Sequence, residues 1–391
     1  MKSTNIKFGA NGWQAIIGDE FTFENVRLVS YAICNYLRRQ QSIQDNFPPR
    51  LVIGYDNRFM GRRFAETVAD VVSQNGIDVF LSTVPTPTPV VSWSINDLIV
   101  TGAIVVTGSD SHPEYNGIKF ITSQTSTAEV EATVQVEEEL VKIIEDGGEI
   151  PILPITPGEI EYFDPRNAYF SHITQLVDLQ KIVKARIDIT VDYLNGVASG
   201  YIKEILSKVN GIVREIHCSN SSEFDGIIPK LSNDNLHQLQ QIVLIPRSTL
   251  QVGIALDGDG SNIKIVDASG SIVEHDQLFA LLIRHLIENK KKSGGIVKPI
   301  KLGDFTLDIA RKYGIPVYEV DSIEFGKIGI ELKKQGAMLG SDCLGGYVFN
   351  NHILERDGIL TGLFILEMMA TYKQNINNLL ELIGLQDIKI G

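Results

Sequence analysis

Cysteine is scarce: 391 residues hold three, Cys34, Cys218 and Cys343. An odd number at wide spacing gives no disulfide framework, and no metal-ligand spacing joins them, so free thiols in a reducing cytoplasm are expected. Long apolar runs are missing too. No stretch approaches the roughly 18–20 apolar residues of a spanning helix, and the polar start Met1–Ile6 has no signal-peptide core, so no membrane partner is expected. Positive charge is the third shortage. The chain sets 35 Lys and Arg against 48 Asp and Glu, a formal net charge of −13 spread along its length. That balance argues against nucleic acid or an anionic membrane surface as the main partner. It also makes phosphate chemistry awkward, because such chemistry needs positive charge gathered in one place.

What is present is the composition of a folded α/β chain. Glycine is plentiful at 34 residues, which suits many tight strand-to-loop turns. The length exceeds one core, since single cores rarely grow past about 250–300 residues. Leu51–Tyr55 is a short apolar run followed by a polar loop, Asp56, Asn57 and Arg58, and a helical pattern over Phe64–Gln74. Val79–Leu81 reads as a second strand, the proline-rich Pro85–Pro89 as a stiff loop, and Ile104–Val106 as a third strand. Pro151, Pro154 and Pro157 suggest a linker. The pattern restarts with strands at Ile187–Val191, Val213–His217 and Val252–Leu256, and again with Gly295–Val297 and Val317–Val320, with helical segments between. This alternation predicts three consecutive α/β domains with mixed, mainly parallel sheets, over residues 1–155, 156–264 and 265–391. A last apolar helix, Ile359–Tyr372, and a short one near Asn377–Ile383 follow.

Function in such folds sits in loops beyond the carboxyl ends of parallel strands. Three loops qualify. Thr107–Lys119, T-G-S-D-S-H-P-E-Y-N-G-I-K, places serines, a histidine and a lysine after a strand; a serine there can carry a phosphoryl group and Lys119 can stabilise it or move protons. The plain alternative is a polar turn punctuated by Pro and Asn-Gly. Asp257–Gly258–Asp259–Gly260 can offer two carboxylates to one hard cation, Mg²⁺ by preference, although acidic glycine-rich turns are common. Gly340–Gly346, G-S-D-C-L-G-G, can approach a ligand closely or be a simple turn, with His352 a further polar group nearby.

Taken in order, these stretches resemble the phosphoglucomutase/phosphomannomutase family, the phosphohexomutases. Pro113–Phe120, P-E-Y-N-G-I-K-F, follows that family's phosphoserine loop, T-A-S-H-N-P-P-E-Y-N-G-I-K. Ile6–Ala15 resembles its opening G-T-D-G-W-R-G, Pro85–Pro89 its P-x-P-T-P, Asp257–Gly260 its D-G-D-G-D-R metal loop, and Leu354–Leu360 the helix start after its sugar loop. The likeness is collinear over nearly the whole chain. It implies transfer of a phosphoryl group between the 1- and 6-positions of a hexose phosphate, through a phosphoserine, a hexose 1,6-bisphosphate and Mg²⁺. By position, Ser109 would be the phosphoserine and Lys119 the general acid/base. Ser109, Asp257, Asp259 and Ser261 would form the metal set, with Asp342 and His352 toward the sugar.

The departures cluster in the same loops. Gln14 stands in place of an arginine, Asp110 and Ser111 in place of His-Asn, Ser261 in place of the third metal carboxylate, and Asn262 in place of the arginine beside it. Asp342, Cys343 and Leu344 replace Glu, Glu or a variable residue, and Ser. The family's fourth domain, with its R-x-S-G-T-E-P phosphate clamp, finds no counterpart in the sequence. Each lost preorganised donor typically costs about 10²–10³ in rate. The expectation is therefore a phosphohexomutase-like protein with weak or lost turnover, acting as a binding or regulatory scaffold, with Mg²⁺ weakly held or absent. An active mutase using a hexose 1,6-bisphosphate is the alternative. A protein partner or a second copy is expected to cover the face that the fourth domain would occupy.

Overall fold

The computed structural model of the chain describes residues 6–9, 12–40, 49–127, 130–151, 155–321 and 325–384. Its first sheet has six strands in the order β1-β5-β4-β2-β3-β6: β1 (Trp13–Ile16), β2 (Arg50–Tyr55), β3 (Asp78–Ser82), β4 (Gly102–Val106), β5 (Tyr115–Thr122) and β6 (Ile160–Phe163). The centre, β4-β2-β3, is parallel, and β5 and β1 add antiparallel at one edge. Side chains of a strand alternate between faces, so an apolar run buries both. Leu51, Ile53 and Tyr55 join one core with the helices Phe23–Gln40 and Gly61–Gln74. Val52, Ala103 and Val105 pack on the other side with Val91 and Ile95 of helix Thr88–Leu98. That helix begins inside the expected stiff loop; Pro89 sits in its first turn, where the missing amide hydrogen is not needed.

The second sheet runs β10-β9-β7-β8, from β7 (Asp188–Asp192), β8 (Arg214–Ile216), β9 (Gln251–Leu256) and β10 (Ile263–Val266). The third runs β12-β11-β13-β14, from β11 (Ile296–Pro299), β12 (Val317–Val320), β13 (Leu339–Ser341) and β14 (Tyr347–Phe349). Each is parallel except for one antiparallel strand, β10 or β14. Three α/β units with mixed, mainly parallel sheets are thus present, as expected. The boundaries shift. β6 lies beyond residue 155 yet extends the first sheet by pairing with β3, and β10 straddles the 264/265 division. Both are edge strands, whose pairing is not written in local pattern. Of the expected linker, residues 152–154 lie outside the described residues. No helix among the described residues is long and apolar enough to cross a membrane.

The loops after β4, β9 and β13 converge because the units are locked together. Asn57 Nδ2 donates to the carbonyls of Asn195 and Ser221 (2.8 and 3.3 Å), and the Leu354 amide donates to Thr125 Oγ1 (3.0 Å). Helix Gly358–Tyr372 is buried from Gly358 to Ala370 in a core shared by the second and third units. Its Glu367 accepts from the Asp178 amide (2.8 Å) and pairs with His285 and Lys290 (3.0 Å each). Burial alone would raise this carboxyl, but His285, the Asp178 amide and Lys290 outweigh it and bring it from 4.5 down to about 2. A depressed folded value means that the unfolded chain binds the proton first. The stabilisation is complete above pH 4.5 and is lost as the pH falls toward 2. Urea midpoints of wild type should therefore decline through this window more steeply than those of Glu367→Gln, which lacks the contribution throughout; parallel curves would contradict the assignment.

Candidate functional site

Arg58 shapes the serine loop from inside. Its Nε pairs with Asp56 Oδ2 (3.2 Å), Nη1 donates to the carbonyls of His112 and Tyr115 (2.8 and 2.9 Å), and Nη2 to those of Ser109 and Ser111 (2.9 and 2.8 Å). The guanidinium is buried and lies 4.9 Å from the Phe224 ring centroid of the second unit. It passes so close to the loop that a Cβ on Gly108 would fall 2.7 Å from it. Thr107 Oγ1 donates to Asp56 Oδ2 (2.6 Å) and accepts from the Ser109 amide (2.9 Å). Ser109 takes a left-handed backbone (φ 50°) and is buried. For a residue with a Cβ this conformation persists only where the surroundings impose it. Ser111 Oγ donates to Gln14 Oε1 (2.7 Å), while Gln14 Nε2 is buried with no partner among the described residues.

The acidic loop meets the serine loop backbone to backbone. A Cβ on Gly258 would lie 2.3 Å from the Ser109 carbonyl, so only glycine allows this approach. Asp257 and Asp259 are both 1% exposed. Asp257 Oδ1 accepts from the Asn262 amide (3.0 Å) and Oδ2 from Asn262 Nδ2 (2.6 Å). Asp259 Oδ1 accepts from Ser261 Oγ (2.6 Å) and Oδ2 from Thr88 Oγ1 (2.7 Å). Burial and the neighbouring Asp259 charge hold Asp257 well above the usual carboxylate range. Burial would raise Asp259 too, but Lys119 and the hydroxyls of Ser261 and Thr88 outweigh it and keep it low. Half-buried Asp110 is raised by burial and by Asp259, against Lys230 and Arg356.

Lys119, on β5, is 1% exposed and lies 3.6 Å from Glu355 Oε1. Glu355 also accepts from the amide of Thr127 (3.0 Å) and its hydroxyl. Next to it, Arg356 Nε donates to Asp342 Oδ2 (2.7 Å), and its guanidinium carbon lies 4.2 Å from the Phe325 ring centroid. Asp342 further accepts from the amides of Leu344 and Gly346 (2.7 and 2.9 Å). Burial pushes its carboxyl up, but Arg356, His275 and those amides bring it below its ordinary value. Leu344 points outward at 66% exposure. His352 departs from expectation. Its Nδ1 meets His172 Nε2 (2.9 Å) and its Nε2 meets Asp357 Oδ2 (2.7 Å), so both ring nitrogens are engaged at the seam between helices Arg166–Leu176 and Gly358–Tyr372.

Ser109, Lys119, Asp257, Asp259 and Ser261 thus come together, with Asp342 beside them through Arg356; His352 belongs to the packing. Asn11, which stands in place of an aspartate of the family's opening loop, lies outside the described residues. The expectation of a centre stripped of fixed positive groups needs correction. Arg58, Lys119 and Arg356 are buried there, and all three act on the charge of Asp259. Sequence reasoning passed over Asp56, Arg58, Thr88, Glu355 and Arg356. The D-N-R after β2 and the E-R-D-G before the last long helix were the available signals.

The magnesium ion implied by the family resemblance was tested against these donors. A hard cation of this size requires about six oxygens in near-octahedral order. Among the described residues no three His, Cys, Asp or Glu side chains gather as a metal-holding group, and all four oxygens of Asp257 and Asp259 already accept a proton donor of this chain. The residues present do not fit a firmly held ion, and no step is derived through one.

Three α/β units carrying a serine loop, an acidic loop and a third glycine-rich loop define a sugar-phosphate mutase architecture. Family models bear this out. Those for phosphoglucomutase/phosphomannomutase α/β/α domains I, II and III match residues 5–146, 167–270 and 274–384. The chain belongs to the phosphoglucomutase/phosphomannomutase family. It is 27% identical to a phosphoglucomutase/phosphomannomutase of Thermococcus kodakarensis over 375 residues, covering 96% of this chain and 79% of the relative. It is 27% identical to a phosphoglucosamine mutase of Methanococcus vannielii, covering 87% and 74%. Among solved structures, a provisionally named phosphomannomutase of Thermus thermophilus superposes with a TM-score of 0.88 at 25% identity, over 97% of this chain and 83% of the other.

Removing one partner of a buried ion pair leaves an uncompensated charge, at a typical cost of about 3–5 kcal/mol. Arg58→Met should reach that range in urea unfolding, since it removes the cation facing buried Asp56 and one donor from each of four loop carbonyls. A loss below about 1 kcal/mol would contradict the clamp.

Proposed function

We propose that the chain is a phosphohexomutase-type phosphotransferase of low turnover acting on a hexose phosphate. One observation carries this reading: Ser109, Lys119 and the Asp257–Asp259 loop come from two units into one buried centre, with Ser109 held in a left-handed backbone. The names of the relatives, mutases of glucose, mannose or glucosamine phosphates, support the substrate class.

In the step proposed, Ser109 Oγ forms a bond to the phosphorus of a hexose 1,6-bisphosphate as the phosphorus–oxygen bond to the sugar breaks. The serine proton leaves, the sugar oxygen takes one up, and the reading assigns Lys119 to move them, its ammonium paired with Glu355. Arg356 and Lys119 supply positive charge facing the transferring oxygens, which is the main demand of phosphoryl transfer. Turnover is low because these cations are shared with Glu355 and Asp342, because Gln14 carries no charge, and because Leu344 offers no hydrogen bond to a sugar. The reading places the chain in a reducing cytoplasm, in keeping with free Cys34, Cys218 and Cys343.

A second reading is a binding or regulatory scaffold without turnover, working through a protein partner or a second copy. The pairs Lys119–Glu355 and Arg356–Asp342 favour it, because they satisfy the centre with no substrate present.

Intact-mass measurement after incubation with glucose 1,6-bisphosphate separates the two. The first reading expects the mass of one phosphoryl group, absent in Ser109→Ala, and a slow interconversion of glucose 1- and 6-phosphates. Loss of a positioned acid/base typically costs about 10²–10⁴ in rate, so Lys119→Met should fall by that factor. Hexose-phosphate binding with neither mass gain nor conversion would establish the scaffold.

A further inference from the structure

The acidic loop between the first and second units is the place where this chain's residues and the cation implied by its family disagree. Two carboxylates, each 1% exposed, cannot stay buried without compensation. In this chain the compensation is internal. Asn262 supplies the two short donors to Asp257, one from its backbone (3.0 Å) and one from its side chain (2.6 Å), with Ser261 Oγ at 3.4 Å from Oδ2. Its Oδ1 is left buried with no partner among the described residues, so the amide is turned toward Asp257 at the expense of its own oxygen. Ser261 gives its hydroxyl (2.6 Å) and its amide (3.2 Å) to Asp259 Oδ1, and Thr88, from the first unit, closes Oδ2 (2.7 Å). The same loop bears on the serine loop through Gly258, so whatever holds it also places Ser109.

We infer that Ser261 and Asn262 do the structural work of a divalent cation in the unphosphorylated chain, so that the acidic loop and the Ser109 loop are assembled without one. By the family resemblance Ser261 stands in place of the third metal carboxylate, and here it presents a hydroxyl donor to Asp259 instead. This concerns the resting chain and stands whether or not Ser109 exchanges a phosphoryl group.

The test is thermal melting of the whole protein in EDTA and in about 10 mM magnesium chloride, at ionic strength matched with potassium chloride. A ligand that binds only the folded state raises the midpoint, so wild type should move by less than about 2 °C. A wild-type rise above that, or one equivalent of magnesium retained through gel filtration by elemental analysis, overturns the inference. Ser261→Asp removes the hydroxyl donor and adds a carboxylate. It should melt several degrees lower in EDTA, on the order of 4 °C or more, and recover most of that in magnesium. Equal midpoints in the two media would overturn the role given to Ser261. If that variant does not fold, the wild-type melting and elemental analysis decide the question by themselves. A failed inference would leave the phosphoryl-transfer reading intact, because mass gain on Ser109 is measured separately.

Discussion

One buried guanidinium organises the centre of this protein. Arg58 is the point at which five oxygens meet: one carboxylate oxygen of Asp56 and four backbone carbonyls of the serine loop. A loop of mixed polarity would otherwise run over the surface, where water satisfies its carbonyls. Here a single cation does so from within, and the loop is drawn down until the Ser109 carbonyl touches Gly258. The left-handed backbone of Ser109 and its contact with Gly258 both lie in the loop that Arg58 holds.

Around this clamp the charges form a closed system. Asp56 faces Arg58, Lys119 faces Glu355 and acts on Asp259, Arg356 faces Asp342, and Asp257 and Asp259 also accept from hydroxyls and from Asn262. A chain with net charge −13 has thus gathered Arg58, Lys119 and Arg356 into its buried centre. The arrangement is stable as it stands, and that restrains chemistry. Each cation that might meet a transferring phosphate must first loosen its own partner. The same residues therefore support both a phosphohexomutase lineage and slow turnover.

Much of this was legible in the sequence because it is local. Leu51–Tyr55 and Val252–Leu256 are apolar runs between loops, and such runs fold as buried parallel strands wherever they fall. The three loops were legible for the same reason, since each follows a strand end. The unit boundaries were less so. β6, Ile160–Phe163, has two exposed residues and joins the sheet by pairing with β3, with Ile160 and Phe163 only partly buried. The roles of Arg58 and Glu355 were hidden by distance along the chain: Glu355 meets Thr127 across 228 residues, and the short motifs that hold the two do not name their partners. His352 misled because a polar residue close to a functional loop in sequence pointed instead into the seam with His172.

The claim that the serine loop is held from inside is tested most directly by native-state hydrogen exchange. The amides of Ser109 and Ser111, bonded to Thr107 Oγ1 and to the Gly108 carbonyl, should exchange as slowly as those of β4. Exchange at the rate of an open surface loop, with β4 still protected, would contradict the account.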